Sequence, residues 1–132
     1  MLLSMNILSI DYGDVRIGLA HGSTDHHIAL PLQVVQNNNM LWEQLHALVK
    51  EYSIDYILVG IPLNFQSQDT QQTQKVRNFI KELQEKLNLP IEEFDERLTS
   101  SLAKRYIPRG QSIDIESARI LLEEWFNKRL SV

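Results

Sequence analysis

The chain has 132 residues, 43% of them hydrophobic, which fits one globular domain with a sizeable core and excludes a disordered chain. It contains no cysteine, so disulfides, thiolate zinc centres and cysteine nucleophiles are excluded. Seventeen acidic residues against thirteen basic ones leave a net charge of −4, the opposite of the usual sign for an electrostatic nucleic-acid binder.

Residues 7–11, Ile-Leu-Ser-Ile-Asp, predict a strand that ends in an acid. The turn Tyr12-Gly13-Asp14 follows, and Arg16 to Ala20 alternates with period two like a half-buried strand. Ile28 to Val35 is β-rich but carries Pro31, which points to an edge strand or a break. Short connections make the three an antiparallel meander. The period then changes. Leu41, Leu45, Leu48, Val49 and Tyr52 lie at helical spacing, predicting an amphipathic helix over about 40–52. Asp55 to Val59 is a short apolar strand closed by Gly60-Ile61-Pro62.

The glutamine-rich stretch from Asn64 begins as a loop, and Asp69 with Gln72 predicts a capping box. Val76, Phe79, Ile80, Leu83 and Leu87 mark a long helix that Pro90 stops. Ile91 to Phe94 is the next strand and runs into Asp95-Glu96-Arg97. Leu98 to about Tyr106 has a helical pattern, broken at Pro108-Arg109-Gly110. From Arg97 to Ser112 there are four bases and no acid, a local basic stripe that suits a polyanion or a solvated helix face. Ile113 to Leu130 predicts a final helix with Ala118, Leu121, Leu122, Trp125 and Phe126 inward.

The order β-β-β-α-β-α-β-α-α predicts an α/β domain spanning 1–132. Its mixed five-stranded sheet would be an antiparallel meander followed by parallel strands with right-handed crossovers, covered by helices on both faces. Ligands of such sheets bind at the carboxyl ends of the parallel strands. No apolar run approaches the roughly 18 residues of a membrane span. The first residues lack the basic and apolar blocks of a signal peptide, so the expected location is the cytoplasm, with no membrane partner.

The acids are placed suggestively. Asp11 ends the first strand, Asp95 and Glu96 end the last, and Asp114 starts the final helix in line with Ala118, Leu121 and Trp125. An acid on that apolar face needs a compensating charge. A cation shared with Asp11 and Glu96 would supply it. Three carboxylates from distant segments suit Mg²⁺ or Mn²⁺. Two such ions roughly 4 Å apart can activate water and stabilise the leaving oxygen in phosphodiester hydrolysis. Neighbouring strand residues face opposite ways, so one of Asp95 and Glu96 enters the site, and Glu96 is the choice. Gly13 would admit a phosphate close to the backbone, Arg16 and Arg97 could grip phosphates by forked hydrogen bonds, and Asn64 could orient a ligand.

Each residue alone has a plainer reading: Asp114 as a helix cap, Asp11-Tyr12-Gly13 as a turn, Asp95-Glu96-Arg97 as surface ion-pair residues, Asn64 as a turn asparagine. The histidines, with His26 and His27 adjacent, make a poor metal set. No P-loop, dinucleotide fingerprint or serine-hydrolase spacing occurs.

Ile10-Asp11-Tyr12-Gly13, Arg16-Ile17-Gly18-Leu19-Ala20, Val59 to Asn64, Asp95-Glu96-Arg97-Leu98-Thr99 and Asp114 before an apolar helix together resemble the YqgF (RuvX) family, from about Asn6 to about Leu130. Each motif alone is weak, but five in order are specific. The resemblance implies an RNase H-like fold related to Holliday junction resolvases. It implies a bacterial cytoplasmic nuclease that processes the 5′ end of pre-16S ribosomal RNA, leaving a 5′ phosphate and a 3′ hydroxyl. Branched DNA is the alternative substrate, and a non-catalytic RNA- or ribosome-associated protein the alternative role. Asp11, Glu96 (or Asp95) and Asp114 would be the metal-binding acids, and Arg16, Asn64 and Arg97 would face substrate. A monomer or weak homodimer is expected. The chain departs from the family at Val15, where lysine is common, at Gln111-Ser112-Ile113, where bases are common, at Ser117, where alanine is common, and in a short segment between Thr99 and Asp114.

Overall fold

The computed structural model describes residues 4–64, 66–96 and 113–130. Its strands are β1 (Asn6–Asp11), β2 (Arg16–Ser23), β3 (Leu30–Gln36), β4 (Tyr56–Ile61) and β5 (Ile91–Asp95). Its helices are α1 (Leu41–Glu51), α2 (Gln71–Leu87) and α3 (Ile113–Leu130). The strands form one sheet in the order β3-β2-β1-β4-β5. β1 to β3 are the antiparallel meander, while β1, β4 and β5 run parallel. The segment Leu98 to Tyr106, expected to be helical, lies outside the described residues, as does the whole basic stripe from Arg97 to Ser112.

Strand alternation sorts the core into two layers. Leu8 and Ile10 of β1, Ile17 and Leu19 of β2, and Ile57 and Val59 of β4 pack under α1 and α2. Their alternates Ile7, Leu58 and Phe94 pack under Leu121, Leu122, Trp125 and Phe126 of α3. The central strands are buried on both faces, which is why β1 and β4 are almost continuously apolar. A polar exception, Ser9, is fully buried beneath α3, and its hydroxyl donates to the Ala118 carbonyl at 2.8 Å. Pro31 sits on the edge strand β3 opposite Ala20, beside a register shift at Leu19/Ala20. An edge tolerates its missing N–H.

α2 corrects one expectation. Its N-cap is Thr70, whose hydroxyl accepts from the Thr73 N–H, while the Thr73 hydroxyl accepts from the Thr70 N–H. The box therefore sits one residue later than the Asp69–Gln72 pair. Asp69 is drawn away by Arg77, which donates to both of its oxygens at 3.2 Å. Thr73 is also buried and donates to the Pro62 carbonyl, tying the helix start to the end of β4. The helix ends at Asn88 in the left-handed conformation, two residues before Pro90.

His21 of β2 lies at the far end of the sheet from Asp11, its ring 4.7 Å from that of Tyr52. Burial lowers its pKa. The native state thus favours neutral imidazole, so the unfolded chain binds the proton more readily. This contribution to stability is present above the unfolded value of 6.5 and lost as pH falls through the lower native value. His21→Phe, which keeps the ring contact, should flatten the loss of stability on acidification below pH 6.5, read from urea unfolding midpoints. An unchanged pH slope would rule this source out. Ser9→Ala should cost about 1 kcal/mol in the same measurement, because the Ala118 carbonyl also accepts within its helix.

Candidate active site

Asp11 ends the central strand, half-exposed, where the polypeptide leaves the sheet. Its partner across the antiparallel pair is Gly18. On its other side, Gly60 lies one residue past the Ile10–Val59 pair of β1 and β4. The strand residue central to the site is thus flanked by two glycines.

Each glycine accommodates an acid from elsewhere in the chain. A Cβ on Gly18 would collide with the backbone carbonyl of Asp114. The missing side chain lets the first turn of α3 rest directly on β2 beside Asp11. A Cβ on Gly60 would stand 2.6 Å from Oε1 and 2.9 Å from Cγ of Glu96. The Glu96 side chain therefore lies over Gly60, on the sheet face that α3 covers. Asp95 pairs with Ile61, whose side chain belongs to the α1/α2 layer. Strand alternation sends Asp95 to that face and leaves Glu96 toward α3. The structure thus brings Asp11, Glu96 and the start of α3 to one sheet end, with Asp95 on the reverse side.

The carboxylates are not drawn into one cluster. Among the described residues, no three His, Asp or Glu side chains stand together as a metal-ion site. Asp114 is instead engaged by Arg16, whose Nε donates to its Oδ2 at 3.2 Å. The compensating charge that an acid on this helix face requires is, in this structure, a guanidinium. The donor chemistry nevertheless fits a hard divalent cation: all-carboxylate, from three separate elements, at the carboxyl ends of parallel strands.

The remaining predicted residues fall as follows. Gly13 closes the β1–β2 turn, and its missing side chain admits the Arg16 carbonyl of the same turn. The turn is braced by Asn37, whose side chain donates to the Gly13 carbonyl and whose N–H donates to the Val15 carbonyl, both at 2.9 Å. Asn64 organises the loop after β4: its Oδ1 accepts from the N–H groups of Gln66 and Gln68, and its amide donates to Gln68 Oε1. These hydrogen bonds brace its own turn. Arg97 lies outside the described residues. Among the described residues, His26 and His27 join no metal-ligand group.

Two features escaped the sequence. Lys75 of α2 reaches the turn beside the site, its Nζ 3.3 Å from Asp14 Oδ2. Glu116, two residues after Asp114 on α3, is buried, and Arg119 donates to it at 2.8 Å. Its i,i+3 spacing from Arg119 is a signal a sequence reading could have used. Lys75 has no such signal, because Asp14 is far away in sequence.

A mixed sheet with this strand order and a final helix laid across it defines the RNase H-like fold class. A Thermus thermophilus RuvC solved in complex with a Holliday junction substrate superposes with a TM-score of 0.66 at 12% identity, covering 96% of each chain. Another T. thermophilus RuvC structure gives 0.61. The sequence narrows this further. The family model RuvX, described as Holliday junction resolvase, matches residues 5–128. A protein of Maridesulfovibrio salexigens is 33% identical over 131 residues, covering 92% of this chain and 97% of its own, and one of Haemophilus ducreyi is 33% identical over 135 residues, covering 95% and 98%. Both carry the name "Putative pre-16S rRNA nuclease". The chain belongs to the RuvX family.

The two glycines should answer differently to a methyl group. Gly18→Ala meets backbone that cannot retreat without lifting α3, so it should cost about 1–3 kcal/mol. Gly60→Ala meets the end of a flexible glutamate and should cost clearly less. Urea midpoints of the two variants test this, and equal losses would contradict the placement of α3 on β2.

Proposed function

We propose that the protein is a Mg²⁺- or Mn²⁺-dependent endonuclease acting on structured RNA, in 5′-end processing of pre-16S ribosomal RNA in the bacterial cytoplasm. The observation that carries this reading is the pair of glycines flanking Asp11, one beneath Asp114 and the other beneath Glu96. Such bare strand positions let acids from three segments of the chain approach one point. The names borne by the full-length relatives supply the substrate class.

Asp11, Glu96 and Asp114 would hold the ions. Divalent metal supplies Lewis acidity there, promoting ionisation of water and offsetting charge on the leaving oxygen. The chain's own residues do the rest. The buried strand β1 fixes Asp11, so its carboxylate needs little reorganisation when substrate arrives. The clash-free seat over Gly18 fixes Asp114. Arg16 can fork onto non-bridging phosphate oxygens and hold the scissile group beside Asp11. Lys75 adds a cation on the other side of the turn. Water oxygen joins phosphorus as the P–O3′ bond breaks; the attacking water gives up one proton to solvent and the leaving O3′ takes one up, giving the 5′ phosphate and 3′ hydroxyl.

Branched DNA is the second reading, favoured by the family's description and by the likeness to RuvC. It requires two copies cutting symmetrically. Paired incisions on a four-way junction, with no cleavage of precursor RNA, would establish it in place of the RNA reading.

Asp11→Asn should lower Mn²⁺-dependent cleavage of a pre-16S fragment by about a hundredfold or more and leave the urea midpoint nearly unchanged. Unaltered cleavage would refute the site. Binding of the fragment without cleavage by the unmodified protein in Mn²⁺ would show a non-catalytic RNA partner instead.

A further inference from the structure

We infer that Arg16 is an internal counter-ion of Asp114, and that a substrate phosphate must draw it off before Asp114 is free to serve a divalent cation. RNA and metal then bind cooperatively, through one arginine that exchanges one anion for another. This rests on the nuclease reading above and adds to it a coupling between the two ligands.

The pair has the properties such an exchange needs. Its two side chains are far apart in sequence and meet at the site itself, 3.2 Å apart. Arg16 is 59% exposed and Asp114 29%, so the pair is weak and accessible to a phosphate from solvent. Among the described residues the contact runs through Nε alone. A phosphate offers the guanidinium a forked, doubly charged-assisted arrangement in exchange for this single bond. While the guanidinium stays, its charge opposes a cation at the same carboxylate, and the cation must also break the pair. By linkage, whatever removes Arg16 strengthens the metal, and the metal strengthens whatever removes Arg16 by the same factor.

The pair is not required to dock α3. The helix start is already seated by the backbone contact at Gly18 and by the Ser9–Ala118 hydrogen bond. Other arginines differ in kind. Arg77 donates three hydrogen bonds to Asp69 and Glu93. Arg119 is held between Glu116 and Glu123. Those two are locked by several bonds, whereas Arg16 is held by one.

The test is Mn²⁺ binding, followed by calorimetry or by the paramagnetic resonance signal of the free ion. Without RNA, Arg16→Gln should bind Mn²⁺ about two- to fivefold more tightly than the unmodified protein, and Arg16→Lys should stay close to it. Arg16→Met serves as a second neutral variant should the glutamine form fail to fold. A cleavage-resistant precursor fragment should tighten Mn²⁺ binding to the unmodified protein by a similar factor and have no such effect on Arg16→Gln. In an Asp114→Asn background the Arg16→Gln effect should vanish. Mn²⁺ affinity that Arg16→Gln leaves unchanged or weakens, or an effect that persists without Asp114, overturns the inference. If Mn²⁺ binding is lost in Asp11→Asn but indifferent to Arg16, the coupling alone is wrong. If the unmodified protein binds no Mn²⁺ even with the RNA fragment present, the nuclease reading falls with it.

Discussion

The close approach of α3 to β2 at Gly18 is the contact on which the site's assembly depends. A helix packed on a sheet normally stands about 10 Å off it, separated by side chains from both layers. Here the first turn of the helix descends to backbone contact, because the strand residue beneath Asp114 has no side chain. Farther along the same helix, Ala118 is the next inward residue, and it too is small enough for its carbonyl to reach the Ser9 hydroxyl. Only beyond that do Leu121, Leu122, Trp125 and Phe126 open the layer to ordinary thickness. The helix therefore tilts toward the sheet at the end where the acids are. The same principle operates on the other side of Asp11, where Gly60 makes room for Glu96.

Bringing carboxylates together has an electrostatic cost, and the structure distributes it. Asp114 is neutralised by Arg16 and Asp14 by Lys75, while the buried Glu116 is satisfied by Arg119 along its own helix. The first two pairs are exposed and join distant segments. Pairs of that kind contribute little to stability in water, which leaves both cations available to a polyanion at small expense. The third is partly buried and local, and its loss would leave a charged group without solvent or partner.

The legible part of the fold is the part governed by local periodicity. The five strands, the first two helices and the last helix all follow from spacing of apolar residues, since each element buries a face whose rhythm is written within ten or so residues. The capping box was displaced by one position because Thr70 and Thr73 can satisfy each other reciprocally, while Asp69 finds Arg77 eight residues on. At the site, Asp11 and Asp114 stand out as acids at element ends. The choice between Asp95 and Glu96 turns on which face β5 presents, and that depends on Phe94 packing under α3. The roles of Gly18 and Gly60 were not legible. A glycine inside a strand signals some close approach, but what approaches is supplied from 96 and 114, far along the chain. Likewise Asn64 carries the same residue type whether it orients a ligand or folds its own loop, and its bonds from the Gln66 and Gln68 N–H groups depend on a loop conformation that residue type alone does not specify.

With a net charge of −4, the chain would meet a nucleic acid through local cations rather than through an overall positive field. At the site end, the described residues provide Arg16 and Lys75, each already matched with an aspartate. Binding a phosphate there exchanges one ion pair for another and alters the protein's net charge near the backbone very little. Affinity from two such contacts is modest, and its salt dependence is correspondingly shallow. Discrimination must then come from the positions the phosphates occupy. Arg16 and Lys75 are held at the β1–β2 turn by Asp114 and Asp14. The turn that sets their separation is itself fixed, by Asn37 on Gly13 and Val15 and by the close packing at Gly13. A nucleic-acid backbone that reached both would therefore meet cations whose anchoring strand and helix are already in place.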